Sequence, residues 1–529
     1  MRWPAARRLV GALLLAAASL PGQSLTPPQQ RGKEIYLTGL SPSGRTINAA
    51  LPDSVTEVPA TVLRCVNCHG RDGKGRPEGA VTPADIRWET LTRSYAAGDA
   101  LARRHPAYTE NTVRRAVTMG IDSAGNLLEA TMPKYRFARE DLDDLVAYLQ
   151  IVSHEAQPGL TPTNLRLGVI LPPAGASHLG SAVEAALRGF ADSLNGEGGI
   201  FNRRLEFRFM TAPEAAGERA ATAGLFARRE DLFAFVAADV SDAEAEFEEL
   251  AGREQLPVVG AISLRPGAPG AANRYVFYID GGLPGRCGAL LAQAGTPPGG
   301  AARLAILRGG SPEWGSLTEV LAARWTARGH AAPPVVNLGP GLDESRKVVE
   351  TLAAQGIDTV MLLSARAADV AFIQAAAAKR WSPAILIPAP LGGAEVLAAA
   401  EQARQSLVFA LPNSIPSRES PQAQKYDHLA RRYHLPPAYR AEQALALAAA
   451  EVTAEALRRA GADLNREKLV EALEQLRNFD TGLGGPVTFS PERRVGSVGA
   501  ALFAVEPAKR SLILLQAWMD GSLGAFAGR

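Results

Sequence analysis

Residues 65–69 read Cys65-Val66-Asn67-Cys68-His69, and this stretch decides how the first part of the chain folds and what it holds. Cys-x-x-Cys-His is the spacing at which a c-type haem is attached. Two thiols add across the porphyrin vinyl groups as thioethers, and the two residues between them span the gap between the vinyls. The adjacent imidazole then falls under the iron as its proximal ligand. Two other chemistries use a Cys-x-x-Cys pair. A zinc site needs a second Cys/His pair, and none stands elsewhere among the 3 cysteines and 7 histidines. A redox dithiol opens a helix after a buried strand, which the flanking sequence does not offer. One covalent haem c on Cys65 and Cys68, with His69 on the iron, is therefore expected. Cys287 has no disulfide partner left and reads as a small buried residue.

A six-coordinate iron needs a second axial ligand. Met132, in Thr131-Met132-Pro133-Lys134-Tyr135, is the first candidate, because the proline stiffens a loop that can hold a thioether at the metal. A soft sulfur ligand favours Fe(II) and raises the potential. Met119, followed by Gly120, is the alternative, and core packing is the ordinary role for either. Around the motif, Gly32–Leu37 (GKEIYL) predicts a short helix with Gly32 and Tyr36 on one face. Asn111–Met119 predicts another. Glu140–Val152 predicts a stronger one, with Leu142, Leu145, Val146 and Leu149 at helical spacing and acidic residues in its first turns.

Gly32 and Tyr36, the CVNCHG of residues 65–70, the MPKY of 132–135 and the LVAYL of 145–149 together resemble class I cytochromes c. The resemblance covers residues 28–157. It implies a small all-α domain whose first and last helices cross, His69/Met132 ligation, and single-electron transfer to or from a redox partner protein. The segment Ser41–Thr61 is longer than that family's pattern and has no role in this reading.

The 529 residues exceed one core and suggest two or three domains. An apolar fraction of 47% and a charged fraction of 21% are ordinary for a soluble globular protein. A net charge of +2, without basic runs interleaved with aromatics, argues against a nucleic-acid partner. Arg2, Arg7 and Arg8 precede the apolar run Leu9–Leu20, which Pro21 and Gly22 end. Residues 1–24 thus read as a signal peptide, too short for a comfortable membrane span, with an uncleaved anchor as the alternative. The expected location is periplasmic, in keeping with haem attachment outside the bacterial cytoplasm.

The sequence QPGLTPTN (157–164) marks a boundary, with residues 158–164 as linker. From 165 to 529 short apolar runs alternate with alanine-rich helical stretches. Strands are expected at Leu165–Leu171, Leu205–Met210, Leu232–Ala238, Pro257–Ile262, Arg303–Leu307, Val335–Val336 and Thr359–Leu363. Strands alternating with helices of ten or more residues build parallel sheets in α/β units, and two such blocks suggest two lobes.

Asn195–Glu206 (NGEGGIFNRRLE), then Leu256–Val259, Arg274–Phe277, Leu304–Leu307, Trp314-Gly315, and the C-terminal Phe489, Arg493 and GSVGA (496–500) resemble, in their order, type I periplasmic binding proteins of the branched-chain amino acid class. This implies two α/β lobes joined by crossing strands, with a small-molecule ligand between them and, for a transport receptor, a membrane permease as partner. Ligand sites in such sheets lie beyond the carboxyl ends of strands, which nominates Asp239, Ser241, Ser263, Trp314 and Ser364. Helix capping is the plainer reading of Asp239 and the serines. Amino-acid binders of that family anchor the ammonium with an acid near position 368. Here Ala368 stands in that place, with Asp369 next to it, so a neutral or aromatic ligand that is not an amino acid is expected.

The leading functional expectation is a periplasmic monohaem cytochrome fused to a solute-binding module, serving a periplasmic dehydrogenase or another cytochrome. The alternative is the substrate-binding receptor of an ABC transporter with haem as redox sensor. No nucleophile motif or Ser/His/acid set suggests an enzyme; peroxidase-like chemistry enters only if Met132 does not ligate.

Overall fold

The computed structural model describes residues 25–51, 56–75, 83–93, 105–153, 157–267, 273–295, 302–310, 314–391, 394–403, 405–415, 417, 419–506 and 511–522. The signal-peptide reading of residues 1–24 lies outside the described residues. The chain divides into two compact units, Met1–Ala156 and Gln157–Arg529.

The first unit is mainly helical. Its elements are α1 (Pro27–Thr38), β1 (Asn48–Ala50), β2 (Val58–Pro59), α2 (Cys65–His69), α3 (Trp88–Leu91), α4 (Glu110–Met119), β3 (Lys134–Arg136) and α5 (Arg139–Leu149). Helices α1 and α5 touch at Gly32, where an added Cβ would lie 1.9 Å from the Asp144 carbonyl oxygen and 2.9 Å from the Tyr148 Cβ. Only glycine lets the backbones come that close. One turn on, the buried rings of Tyr36 and Tyr148 meet at 5.4 Å. Arg31 closes the edge of the crossing with two hydrogen bonds to Asp144, at 2.6 and 2.8 Å. Leu145, Val146 and Leu149 fill the core from α5.

Ser41–Thr61, which has no role in the cytochrome c resemblance, has a structural place through its described residues 41–51 and 56–61. It provides β1 and β2, which join β3 in an antiparallel sheet of order β2-β1-β3. Two- and three-residue strands are too short to leave a periodic signature, so the purely helical expectation gains a small sheet.

The second unit holds two sheets. The first is built from β4 (Asn164–Leu171), α6 (Ser177–Gly196), β5 (Arg204–Thr211), α7 (Ala216–Arg229), β6 (Ala234–Val236), α8 (Glu244–Glu254), β7 (Val258–Ala261) and β8 (Val276–Asp280). The second follows with α9 (Gly282–Ala294), β9 (Leu304–Arg308), α10 (Trp314–Ala327), β10 (Val335–Asn337), α11 (Leu342–Ala354), β11 (Thr359–Leu363), α12 (Arg366–Ala378), β12 (Ala384–Pro388), α13 (Ala394–Ala403) and β13 (Leu407–Leu411). Then come α14 (Pro421–Tyr433), α15 (Arg440–Ala460), α16 (Arg466–Glu474), β14 (Val495–Ser497), β15 (Gly499–Glu506) and β16 (Ser511–Asp520).

The first sheet runs β14-β8-β7-β6-β4-β5 with every pairing parallel. The second runs β10-β9-β11-β12-β13-β15-β16, parallel through β13 and antiparallel for the last two strands. Strand β6 is shorter than the apolar run 232–238 suggests. Ala237 has φ of 49°, outside the extended region a strand residue occupies, and the regular strand ends before it.

The chain passes between the two sheets three times: after β8, after β13 and between β14 and β15. Two of these crossings lie against each other. A Cβ on Gly281 would stand 3.3 Å from the Val498 Cα, and one on Gly285 would stand 3.2 Å from the Gly499 amide nitrogen. Beside them the buried pair Asp280 and Arg286 meets at 2.6 Å, and Arg286 also donates to the Ala389 carbonyl at 2.8 Å. Among the described residues, no helix is long and apolar enough to cross a membrane.

Candidate functional site

The cysteine motif forms one short helix, α2, ended by Gly70 with φ of 70°. Tyr36 reaches across from α1 and donates its hydroxyl to the Gly70 carbonyl at 2.5 Å, which ties the helical crossing to the motif. His69 is buried, and its Nδ1 stands 2.9 Å from the Ala84 carbonyl oxygen. A carbonyl only accepts, so Nδ1 carries the proton and Nε2 carries the free lone pair. Burial also holds the imidazole below its ordinary pKa. A neutral ring oriented by a backbone acceptor at one nitrogen is the arrangement of a metal-ligating histidine.

Cys65 and Cys68 form no disulfide; the first is partly buried and the second exposed. Burial pushes the Cys65 thiol up to about 12, the reverse of the depressed pKa of a reactive dithiol. Arg71, just past the motif, holds a buried Nε with no partner among the described residues. Two thiols outside any disulfide, an oriented Nε2 and an orphaned cationic donor fit a covalent haem with an anionic edge.

The structure separates the two methionines. Met132 is half-buried and lies against the unit's apolar core beside buried Pro133. Met119 ends α4 with 58% of its surface exposed.

In the second unit the five nominated residues fall into two groups. Asp239 and Ser263 stand at the ends of the adjoining strands β6 and β7, and Asp239 bridges to Ile262. Asp239 accepts the Ser241 amide at 3.0 Å, and burial raises its carboxyl pKa. The Ser241 carbonyl accepts from Arg219. Ser263 donates its hydroxyl to Glu244 and accepts the Arg265 amide at 2.8 Å. In the other sheet Trp314 opens α10 and Ser364 follows β11. A Cβ on Gly309 would lie 3.4 Å from the Trp314 Nε1 and 3.9 Å from the Ser364 Cα, so the indole and the serine flank one point.

Ser364 donates to Asp369, a fully buried acid whose pKa burial lifts to about 7. Asp369 Oδ2 has no partner among the described residues. Both serine protons are thus spent on carboxylates, and toward a ligand these hydroxyls offer lone pairs. Glu244 was missed by the sequence reading. As an acid in the first turn of α8 it looks like an ordinary helix-dipole residue. The Ala84 carbonyl carries no side-chain signal at all. Two depressions of about 340 and 300 Å³ run along β5 and α6, lined in part by Arg188, Phe207, Arg208 and Phe209, and hold none of the nominated residues.

The periplasmic binding protein family matches residues 164–510, and the cytochrome c family matches residues 57–153. No curated protein matches the chain in sequence. Solved structures share the fold of the second unit. A putative branched-chain amino acid ABC transporter protein from Rhodospirillum rubrum is 20% identical, covers 66% of this chain and 100% of its own, and superposes with a TM-score of 0.55. A branched-chain amino acid ABC transporter protein from Thermus thermophilus with bound valine is 16% identical, with 68% and 98% covered and a TM-score of 0.54. A fatty acid ABC transporter substrate-binding protein from Thermomonospora curvata is 16% identical, with 70% and 95% covered and a TM-score of 0.52. The chain belongs to the periplasmic binding protein family and carries a cytochrome c domain ahead of that module, which joins haem binding and solute binding in one polypeptide.

Proposed function

We propose that the protein is a periplasmic single-electron carrier with one haem c, tethered to a small-molecule binding module that serves a partner dehydrogenase or another cytochrome. Cys65 and Cys68 form the thioethers, and His69 and Met132 hold the iron. The proposed domain limits are 28–157 for the haem domain and 165–529 for the binding module, joined by residues 158–164. The observation that carries the reading is the His69 ring, whose Nδ1–H donates to the Ala84 carbonyl and whose Nε2 keeps the lone pair that can ligate a metal. When bound, haem supplies a reversible one-electron couple. The chain orients the imidazole, holds a thioether in a proline-stiffened loop and keeps both near an apolar core.

Loss of the far-red charge-transfer band of sulfur-ligated ferric haem in Met132→Ala tests the ligand. A band that survives in that variant refutes it. Retention of the band in wild-type protein also leaves no open iron position for peroxidase-like chemistry.

For the binding module we infer a solute other than an amino acid, held among Asp239, Ser241, Ser263, Trp314 and Ser364. An amino-acid carboxylate needs donors, and the Ser263 and Ser364 protons are committed to Glu244 and Asp369. Calorimetric titration against an amino-acid panel should give no heat, and micromolar binding of any member contradicts this. A second reading, a transport receptor with haem as redox sensor, draws on how fully the second unit spans the ABC substrate-binding proteins it resembles. It requires the haem potential to move on solute binding, which a redox titration with and without solute decides.

A further inference from the structure

Strand β1 of the Ser41–Thr61 insertion sits between the strands of the two chain segments that carry the proposed axial ligands His69 and Met132. Strand β2 leads through Ala60–Arg64 into Cys65, while β3 starts two residues after Met132. Strand β1, from the insertion, pairs with both, placing Ala49 opposite Tyr135 and Val58. The sheet is anchored inward: Ile47, Ala49, Ala60 and Tyr135 are buried, and the Ala60 amide donates to the Ile47 carbonyl at 2.8 Å. It also meets the end of α1, where a Cβ on Gly39 would stand 2.3 Å from the Ala60 carbonyl oxygen. Tyr135 spans the gap directly. Its hydroxyl donates to the Leu63 carbonyl at 2.6 Å and lies beside the Cys65 thiol, and its ring stacks on Phe137 at 5.6 Å.

We propose that Tyr135 is a positioning residue for the iron's sulfur ligand, and that the Ser41–Thr61 insertion exists to form the sheet that holds it. The proposal rests on the reading of His69 and Met132 as axial ligands. An iron–thioether bond is weak and competes with any added base. Whatever holds the Met132 loop closed therefore lowers the apparent affinity of an external ligand by the fraction of open loop.

The test is an imidazole titration of the exported, full-length ferric protein. Tyr135→Phe keeps the ring and removes the hydroxyl. It should retain covalent haem by intact mass, show a weaker far-red band and bind imidazole about fivefold more tightly, the effect of one lost hydrogen bond. Arg31→Ala loosens the α1–α5 crossing without touching the sheet, and should leave imidazole affinity unchanged. Wild-type affinity in Tyr135→Phe overturns the proposal, as does an equal gain in Arg31→Ala. Should Tyr135→Phe yield no holoprotein, Arg136→Ala cuts the 2.7 Å ion pair from β3 to Glu57 of the insertion. It should give a gain of about twofold, and no gain there overturns the proposal. Met132→Ala separates the two levels: if it keeps the far-red band, the ligand assignment fails and this inference falls with it.

Discussion

In the haem unit, five consecutive residues name the chemistry, and backbone carbonyls hold His69 and the two tyrosines packed around the motif: Ala84 for His69, Gly70 for Tyr36, Leu63 for Tyr135. In the solute unit, the nominated residues are scattered from Asp239 to Ser364 over the strand ends of two sheets, and their polar atoms are held by side chains such as Glu244 and Asp369. The first site is contiguous, and its proposed partner is covalent. The second is assembled by topology, and several of its hydrogen-bond donors are already committed. A covalent cofactor tolerates a short, local motif because the bond itself supplies the affinity. A reversible ligand must be recognised by pre-set groups, so its specificity depends on what the protein has used up internally.

The units also differ in what makes them fragile, and substitutions can expose this. The largest effect is expected in the solute unit. Arg286→Met strands the buried Asp280 carboxylate beside the sheet crossings and should cost about 3–5 kcal/mol, whereas Asp280→Leu combined with Arg286→Met should recover most of it. Urea unfolding of the three proteins measures this, and an equal loss in the double variant contradicts it. Next comes the haem unit. Gly32→Ala forces a methyl into the Asp144 carbonyl at the helix crossing and should lower stability by about 3 kcal/mol, read as an earlier thermal transition of the haem absorbance. An unchanged transition would mean the crossing is looser than this packing implies.

A smaller effect, with a pH signature, is expected at Asp369. Its folded-state pKa of about 7 lies above the unfolded value. The folded state therefore binds the extra proton, and wild-type stability falls as pH rises from the unfolded pKa toward 7. Asp369→Asn keeps an acceptor for Ser364 and removes the charge. Its advantage over wild type should grow across that window, level off above it and reach on the order of a few kcal/mol. Equal denaturant midpoints for the two proteins at pH 5 and pH 8 would contradict this. Smallest of all, Met119→Leu should leave the far-red band and the potential unchanged, because Met119 is exposed at the end of α4.

How much was legible in the sequence follows the same contrast. The cysteine motif, the Gly32/Tyr36 face and the α5 periodicity are local patterns, and the structure places them together. The α/β rhythm of the second unit was legible because buried parallel strands leave continuous apolar runs. The extent of strand β6 was hidden because an apolar run does not reveal the left-handed Ala237 at which the regular strand ends. The sheet from the insertion was invisible because its strands are two or three residues long and are defined by partners far along the chain. The commitment of Ser263 to Glu244 and of Ser364 to Asp369 is a matter of side-chain geometry that spacing cannot show.

The proposed function requires that this binding protein carry haem sewn to Cys65 and Cys68 and held through His69. Intact mass spectrometry of the exported protein, beside the Cys65→Ser/Cys68→Ser double variant, tests it most directly. The wild-type chain should carry the added mass of one haem, resistant to acid extraction, and the variant none. A wild-type chain of bare polypeptide mass, or haem that the variant binds equally well, would contradict it.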